Sequence, residues 1–211
     1  MAADEYSGPD TQAADTETTD SSEVSPELTP VSPKADKART STRKGLCFKR
    51  FFTADGVHPY DAVEWMEYDA IILNAEGGTV FEQNGVEFPT CWSQRATNIV
   101  ASKYFHGQLG TPERESSLKQ LIGRVVGTMA QWGIDGEYFA TTEDAEIFSD
   151  ELTHLLLHQM VAFNSPVWFN IGIAGERQQA SACYINHVDD TMTSILELAK
   201  TEGMIFKWGS G

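Results

Sequence analysis

Cysteine is scarce in this chain. Its 211 residues hold three, Cys47, Cys91 and Cys183, far apart and with no C-x-x-C pair. That spacing excludes an even-numbered disulfide framework and suits a reducing compartment. Cationic side chains are few as well: 15 Lys and Arg stand against 31 Asp and Glu, a formal net charge of −16. Phosphate contacts need clustered Lys and Arg, so neither nucleic acid nor an anionic membrane is expected as a partner. No apolar run approaches the length of a membrane span, and the N-terminus lacks the hydrophobic stretch of a signal peptide. A cytoplasmic location is expected. What the chain does have is enough apolar residues, 41%, for a real core, and length for one domain or one and a half.

The charge is unevenly placed. Residues 1–38 carry nine acids and two lysines, whereas Arg39 to Arg50 holds Arg39, Arg43, Lys44, Lys49 and Arg50 with no acid. Residues 1–45 therefore read as a disordered acidic tail with a basic linker, too poor in apolar surface to offset the entropy of ordering. Order is expected from residue 46. Three short strand-like runs follow, Ala70–Leu73, Thr79–Gln83 and Val86–Phe88, separated by Asn74–Gly78 and by Asn84-Gly85. Asn-Gly between apolar runs is a strong hairpin signal, so a small antiparallel sheet is predicted over 68–89.

Helical spacing takes over next. A first helix is predicted from Trp92 to about His106, and a second opens at Thr111-Pro112-Glu113 with Leu118, Leu121, Ile122, Val125, Val126 and Met129 on one face. A third starts at Thr141-Thr142-Glu143-Asp144 and runs to about Phe163. Residues 46–163 thus form a region of small sheet plus helices. Past it come a loop, Asn164–Gly172, a strand, Gln179–Val188, and a helix over 192–207. The chain stops at Gly209-Ser210-Gly211, residues used where backbone bends or approaches a ligand, and an ending there has the look of a truncation.

Several groupings carry chemistry. His154 and His158 sit at i and i+4, with Glu151 one turn earlier, but Leu155 stands where a zinc protease would place its glutamate. Two surface histidines are expected, and no metal site. The terminal Gly-Ser-Gly with Lys207 beside it offers backbone N–H groups and a cation to an anion, a hint of a nucleotide. Ser165 and Asn164 begin a bend whose side chains either bind a ligand's hydroxyls or merely end a helix. Cys183 lies in the predicted strand behind small Ser181 and Ala182, which leave room beside its sulfur; a packing cysteine remains open. A nucleophilic thiol would need an adjacent base, and His187 stands roughly 13 Å away at strand rise.

These residues match a family. Asn164-Ser165-Pro166-Val167-Trp168-Phe169-Asn170, then Gln179-Ala180-Ser181-Ala182-Cys183-Tyr184-Ile185, then Asp189-Asp190-Thr191-Met192 and Phe206-Lys207-Trp208-Gly209-Ser210-Gly211, closely resemble the class II, adenosylcobalamin-dependent ribonucleotide reductases. Upstream, Val86-Glu87-Phe88-Pro89, Trp92-Ser93-Gln94, Ala101–Phe105 and Arg114-Glu115 resemble it too. The similarity runs from about residue 46 to the end, with the motifs in order.

The resemblance implies an α/β fold, α+β within these residues, in which 164–211 open a ten-stranded α/β barrel. It implies reduction of a ribonucleoside diphosphate or triphosphate by a thiyl radical, with Cys183 as one of two reducing cysteines. Ser165, Ala182, Cys183 and Gly211 match substrate contacts. Asp190 matches a contact to a deoxynucleoside triphosphate effector, to which Lys207 adds a cation. Adenosylcobalamin, with most of its contacts elsewhere, and an external dithiol such as thioredoxin are the implied cofactors. A homodimer through helix 192–207 is the implied assembly. The thiyl cysteine, the partner cysteine and the rest of the barrel have no match here, so these residues alone are expected to be inactive. The competing reading is a non-enzymatic helical interaction module with an acidic tail, in which Cys183 is inert.

Overall fold

Two strands, not three, make the sheet. The computed structural model describes residues 45–175 and 178–211, so the acidic tail, most of the basic linker, Glu176 and Arg177 lie outside the described residues. Strand β1, Trp65–Leu73, pairs antiparallel with β2, Thr79–Pro89, from Trp65 opposite Pro89 to Leu73 opposite Thr79. The turn between them is built by Asn74, whose side-chain oxygen accepts from the Glu76 and Gly78 amides at 3.1 and 2.7 Å. Gly77 supplies the left-handed residue, at φ 82°.

Asn84-Gly85, expected as a second hairpin, lies inside β2. Tyr68 faces Val86 and Ala70 faces Gln83, so Asp69 alone opposes both Asn84 and Gly85. This is a bulge: Gly85 takes φ 67° and donates its N–H to Asp69 Oδ1 at 3.2 Å. The same dipeptide serves either role, and the decision came from a partner for Val86–Pro89, the stretch Trp65–Tyr68, which charged Glu67 and Asp69 had disguised.

The inner sheet face delivers Ala70, Val86 and Phe88 to a core completed by Ala101, Phe105, Leu118, Leu121, Ile122, Val126, Leu156 and Leu157. Helix α1, Gln94–Lys103, is capped by Ser93. Helix α2, Leu118–Asp135, starts seven residues later than Thr111-Pro112-Glu113 suggested. The intervening loop is held by Arg114, which donates to the carbonyls of Ala101, Phe105 and Gly107 and to Gln83 Oε1. Those carbonyls at the end of α1 need partners that its own backbone cannot supply. A capping box, Ser117 with Gln120, then opens α2.

Helix α3, Thr142–Leu157, begins at Thr141 as expected but stops six residues short of Phe163, because Gln159 adopts a left-handed conformation at φ 55° just after the His158 cap. Ahead of all this, residues 46–53 run along α3. Leu46 exchanges backbone bonds with Tyr138 and Ala140, Phe48 donates to Asp144, and Arg50 pairs with Asp150. Residues 164–172 contain a short helix, α4, Ser165–Asn170, where a loop was expected; Asn164 caps it and Pro166 sits in its first turn.

Residues 178–190 carry no assigned strand, a departure from the predicted one. Helix α5, Met192–Lys207, has the predicted bounds and is capped by Thr191. The described residues are thus α+β, a two-stranded sheet with five helices, and the ten-stranded barrel is not present among them. None of their helices is long and apolar enough to cross a membrane.

Candidate functional site

The platform is α4 seated on α2. Val167 and Ile171 pack against Val125, with Met129, Phe163 and Trp168 at the edge. Arg124, reaching from α2, donates to the carbonyls of Ile171 at 2.5 Å and Trp168 at 3.1 Å, and its Nε pairs with Glu115 Oε1 at 2.8 Å. Held this way, α4 presents two side chains to the end of α1. The hydroxyls of Ser165 and Tyr104 lie within hydrogen-bond distance, 3.2 Å, and the ring of Phe169 stacks on Tyr104 with centroids 5.5 Å apart. Gly209 packs against the same Phe169: at φ 76°, any Cβ there would sit 2.9 Å from the ring.

Residues 178–211 are bonded to one another through backbone. Ala182 accepts from the Gly211 amide at 2.8 Å, and the Tyr184 amide donates to Gly211 at 2.7 Å. One residue bonded to both neighbours of Cys183 is the pattern of a parallel pair. Between the two paired segments lies α5, the helical crossover that parallel strands require. The predicted strand is absent, and what stands in its place is a single rung that sets Cys183 opposite Gly211. Ser210 pins the rung further, its hydroxyl donating to the Ser181 carbonyl at 2.6 Å.

Of the sequence-predicted residues, the structure brings Cys183, Ala182 and Gly211 together. It sets Ser165 on α4, whose last residue, Asn170, bonds to the carbonyls of both Gln179 and Trp208. The Cys183 thiol is exposed and free, as are those of Cys47 and Cys91. An open cavity of about 430 Å³ lies between 178–186 and α5, lined in part by Gln179, Tyr184, Asn186, Lys200 and Trp208.

Asp190 and Lys207 are not brought together. They flank a sixteen-residue helix, about 25 Å apart at helical rise, and the Lys207 ammonium lies 4.8 Å from the Trp208 ring centroid. His187 is paired with Asp189 at 2.9 Å.

The histidines of α3 are also committed. His154 stacks on Phe52 at 5.1 Å and lies 4.1 Å, ring to ring, from His158. Burial lowers both their pKa values, the charge of one ring lowers that of His154 further, and Glu151 partly opposes this. Glu151 accepts from the amides of Phe51, Phe52 and Thr53. Burial would raise its pKa, but these bonds and the Thr53 hydroxyl hold it below the ordinary value. Among the described residues no group of three or more His, Cys, Asp or Glu could hold a metal ion.

Comparison with known proteins points to one family. The profile described as class II vitamin B12-dependent ribonucleotide reductase matches residues 67–159. A vitamin B12-dependent ribonucleotide reductase of Streptomyces avermitilis is 55% identical over 179 residues, 84% of this chain and 18% of the relative. Its counterpart in Streptomyces coelicolor is 57% identical over 173 residues, 82% of this chain and 18% of the relative. That of Rhodopirellula baltica is 42% identical over 207 residues, 84% and 20%. Over most of its length the chain is thus similar to the class II vitamin B12-dependent ribonucleotide reductases. It spans about a fifth of the length of these relatives.

The family depends on vitamin B12, and the described residues do not fit a corrin by themselves. Of the two cavities described, of about 430 and 690 Å³, the second at the turn between α2 and α3, neither is lined by Cys183. The side chains that the sequence did not single out are Tyr104, Arg124, Asn170 and Ser210. Three of these lie within quoted motifs, but their roles depend on partners far along the chain.

Proposed function

We propose that the chain is part of an enzyme that reduces ribonucleotides to deoxyribonucleotides, with Cys183 as one of two reducing thiols. The observation that supports this is the rung: a free thiol between two backbone bonds to Gly211. Two thiols give up two electrons and two protons as a disulfide forms, the ribose 2′ hydroxyl leaves as water, and a hydrogen takes its place. A dithiol such as thioredoxin then re-reduces the disulfide. Ser165, with its hydroxyl beside Tyr104, and the backbone at Ala182 and Gly211 fix the nucleotide against the sulfur. Cobalamin supplies the initiating radical when bound, through residues outside those described.

Asp190 is proposed as a contact for a deoxynucleoside triphosphate effector, at the start of α5. An antiparallel pairing of α5 with its copy in a homodimer would bring Lys207 of the partner subunit toward Asp190. Methionine, isoleucine and leucine at 192, 195 and 196 give that helix exposed apolar surface for such a contact. The rest of the barrel completes the assembly, in the cytoplasm.

The complete reductase, given adenosylcobalamin and a dithiol, is expected to reduce ribonucleotides over many turnovers, and Cys183→Ser to abolish that turnover. Undiminished turnover by Cys183→Ser would remove the thiol from the mechanism. Failure of the unaltered enzyme on every ribonucleotide would remove the function.

A further inference from the structure

We infer that Asn170 is the positioning residue of this site, the side chain that sets Ser165, Cys183 and Gly211 in one frame. The inference rests on the function just proposed. Asn170 is 6% exposed, at the end of α4. Its Nδ2 lies 2.9 Å from the Pro166 carbonyl, 3.0 Å from that of Trp208 and 3.3 Å from that of Gln179. The bond to Pro166 is an ordinary i to i−4 contact within the helix. The other two leave it for segments nine and thirty-eight residues along the chain.

Each of the three carbonyls lies within four residues of a residue of the site. Pro166 adjoins Ser165, Gln179 precedes Cys183 by four residues, and Trp208 precedes Gly211 by three. A single amide thus grips the root of the serine, the root of the thiol segment and the root of the glycine. An amide nitrogen carries two hydrogens, so three carbonyls converging on it share them. A side chain with acceptors only would repel all three. Ser210, with its bond to Ser181, latches the same two segments one step nearer the sulfur. Proximity catalysis depends on such holding, because a misplacement of about 1 Å costs about 100-fold in rate.

The test uses the complete reductase with Asn170→Asp, which keeps shape but loses both donors, and Asn170→Ser, which keeps one donor. Two quantities are read: kcat and KM for ribonucleotide reduction, and the alkylation rate of Cys183 relative to Cys47 and Cys91 in the same molecule. Asn170→Asp is expected to lower kcat/KM by about 100-fold, with Asn170→Ser between it and the unaltered enzyme. Alkylation of Cys183 is expected to change several-fold while Cys47 and Cys91 keep their rates.

Unaltered kcat/KM in either folded variant overturns the inference, and so does an equal change at all three cysteines, which is general loosening. If Asn170→Asp does not fold, Asn170→Ser decides. If neither folds, Asn170 is structural and the inference falls. A reductase whose unaltered form reduces no ribonucleotide defeats the proposed function instead, and the alkylation ratio then settles whether Asn170 places Cys183.

Discussion

Arg124→Met should destabilise the chain more than most single substitutions, because the guanidinium it removes is the ion-pair partner of a nearly buried carboxylate. The side chains of Arg124 and Glu115 are 11% and 9% exposed. Arg124 reaches Glu115 at 2.8 and 3.3 Å while serving the Ile171 and Trp168 carbonyls. Glu115 also accepts the His106 amide at 2.8 Å. Removing one member of a buried pair strands the other, a cost of about 3–5 kcal/mol. For a domain of this size that is a fall of about 6–20 °C in melting temperature.

Glu115→Gln should be milder, since the amide oxygen still accepts from His106 and still faces Arg124. Urea unfolding followed by tryptophan fluorescence gives each value, with Trp168 beside the perturbation. In Arg124→Met with Glu115→Leu, the stranded charge is gone, so the double variant should be less damaged than the sum of the singles by about 1 kcal/mol or more. A loss below about 1 kcal/mol for Arg124→Met, or a strictly additive cycle, would show that water reaches the pair and that α4 is not held as described.

Two further outcomes can be measured. Burial holds the pKa values of His154 and His158 below their ordinary 6.5, and the charge of His158 lowers that of His154 further. The unfolded chain therefore binds more protons, and the stability from these neutral rings is full above about 6.5 and lost as pH falls through the folded values. Urea midpoints at pH 7.5 and 5.5 should show that loss, and His154→Gln with His158→Gln should shrink it; an unchanged difference would count against the lowered pKa values of the two rings. Gly172→Ala should also be costly, since Gly172 holds φ 79° and a Cβ there would sit 2.6 Å from both Arg124 Cγ and Thr128 Oγ1. Left-handed backbone alone costs about 1–2 kcal/mol, and Arg124 would have to move as well. A melting temperature within about 2 °C of the unaltered chain would contradict that packing.

What was legible in the sequence was what local pattern determines. Helix α5 has its predicted bounds because Thr191 caps one end and glycine follows the other. Helix α3 begins where Thr141 and the acids after it indicated. What was not legible depended on distant partners. The onset of α2 was masked by a loop that reads as a helix start until Arg114 is seen bonded to α1 and β2. The Asn84-Gly85 bulge needed Asp69, and β1 extended into Trp65–Asp69 because β2 gave those residues a partner. At the site, Ser165 and Cys183 stood out through their motifs, whereas Asn170 resembled any polar residue closing a turn. Its importance lies in bonds to Gln179 and Trp208, which no local window contains.

The same distinction bears on how Cys183 acts. A thiol that attacks as a nucleophile needs a base, and the histidine nearest in sequence, His187, is exposed and paired with Asp189. A thiol that gives up an electron needs a second sulfur instead, because reducing a ribose hydroxyl takes two electrons and a pair of thiols closing to a disulfide is their stable source. Cys47 and Cys91 are fixed by other structure. Cys47 follows Leu46, bonded to Tyr138 and Ala140 at the turn between α2 and α3, and Cys91 sits between β2 and α1, beside the Trp92 amide's bond to Pro89. Neither belongs to the frame that Asn170 and Ser210 close around the rung. The proposed chemistry therefore requires a partner thiol from residues other than those described. The rung opposite Gly211 is where such a segment can be registered against Cys183, since a parallel pair fixes which residues stand side by side.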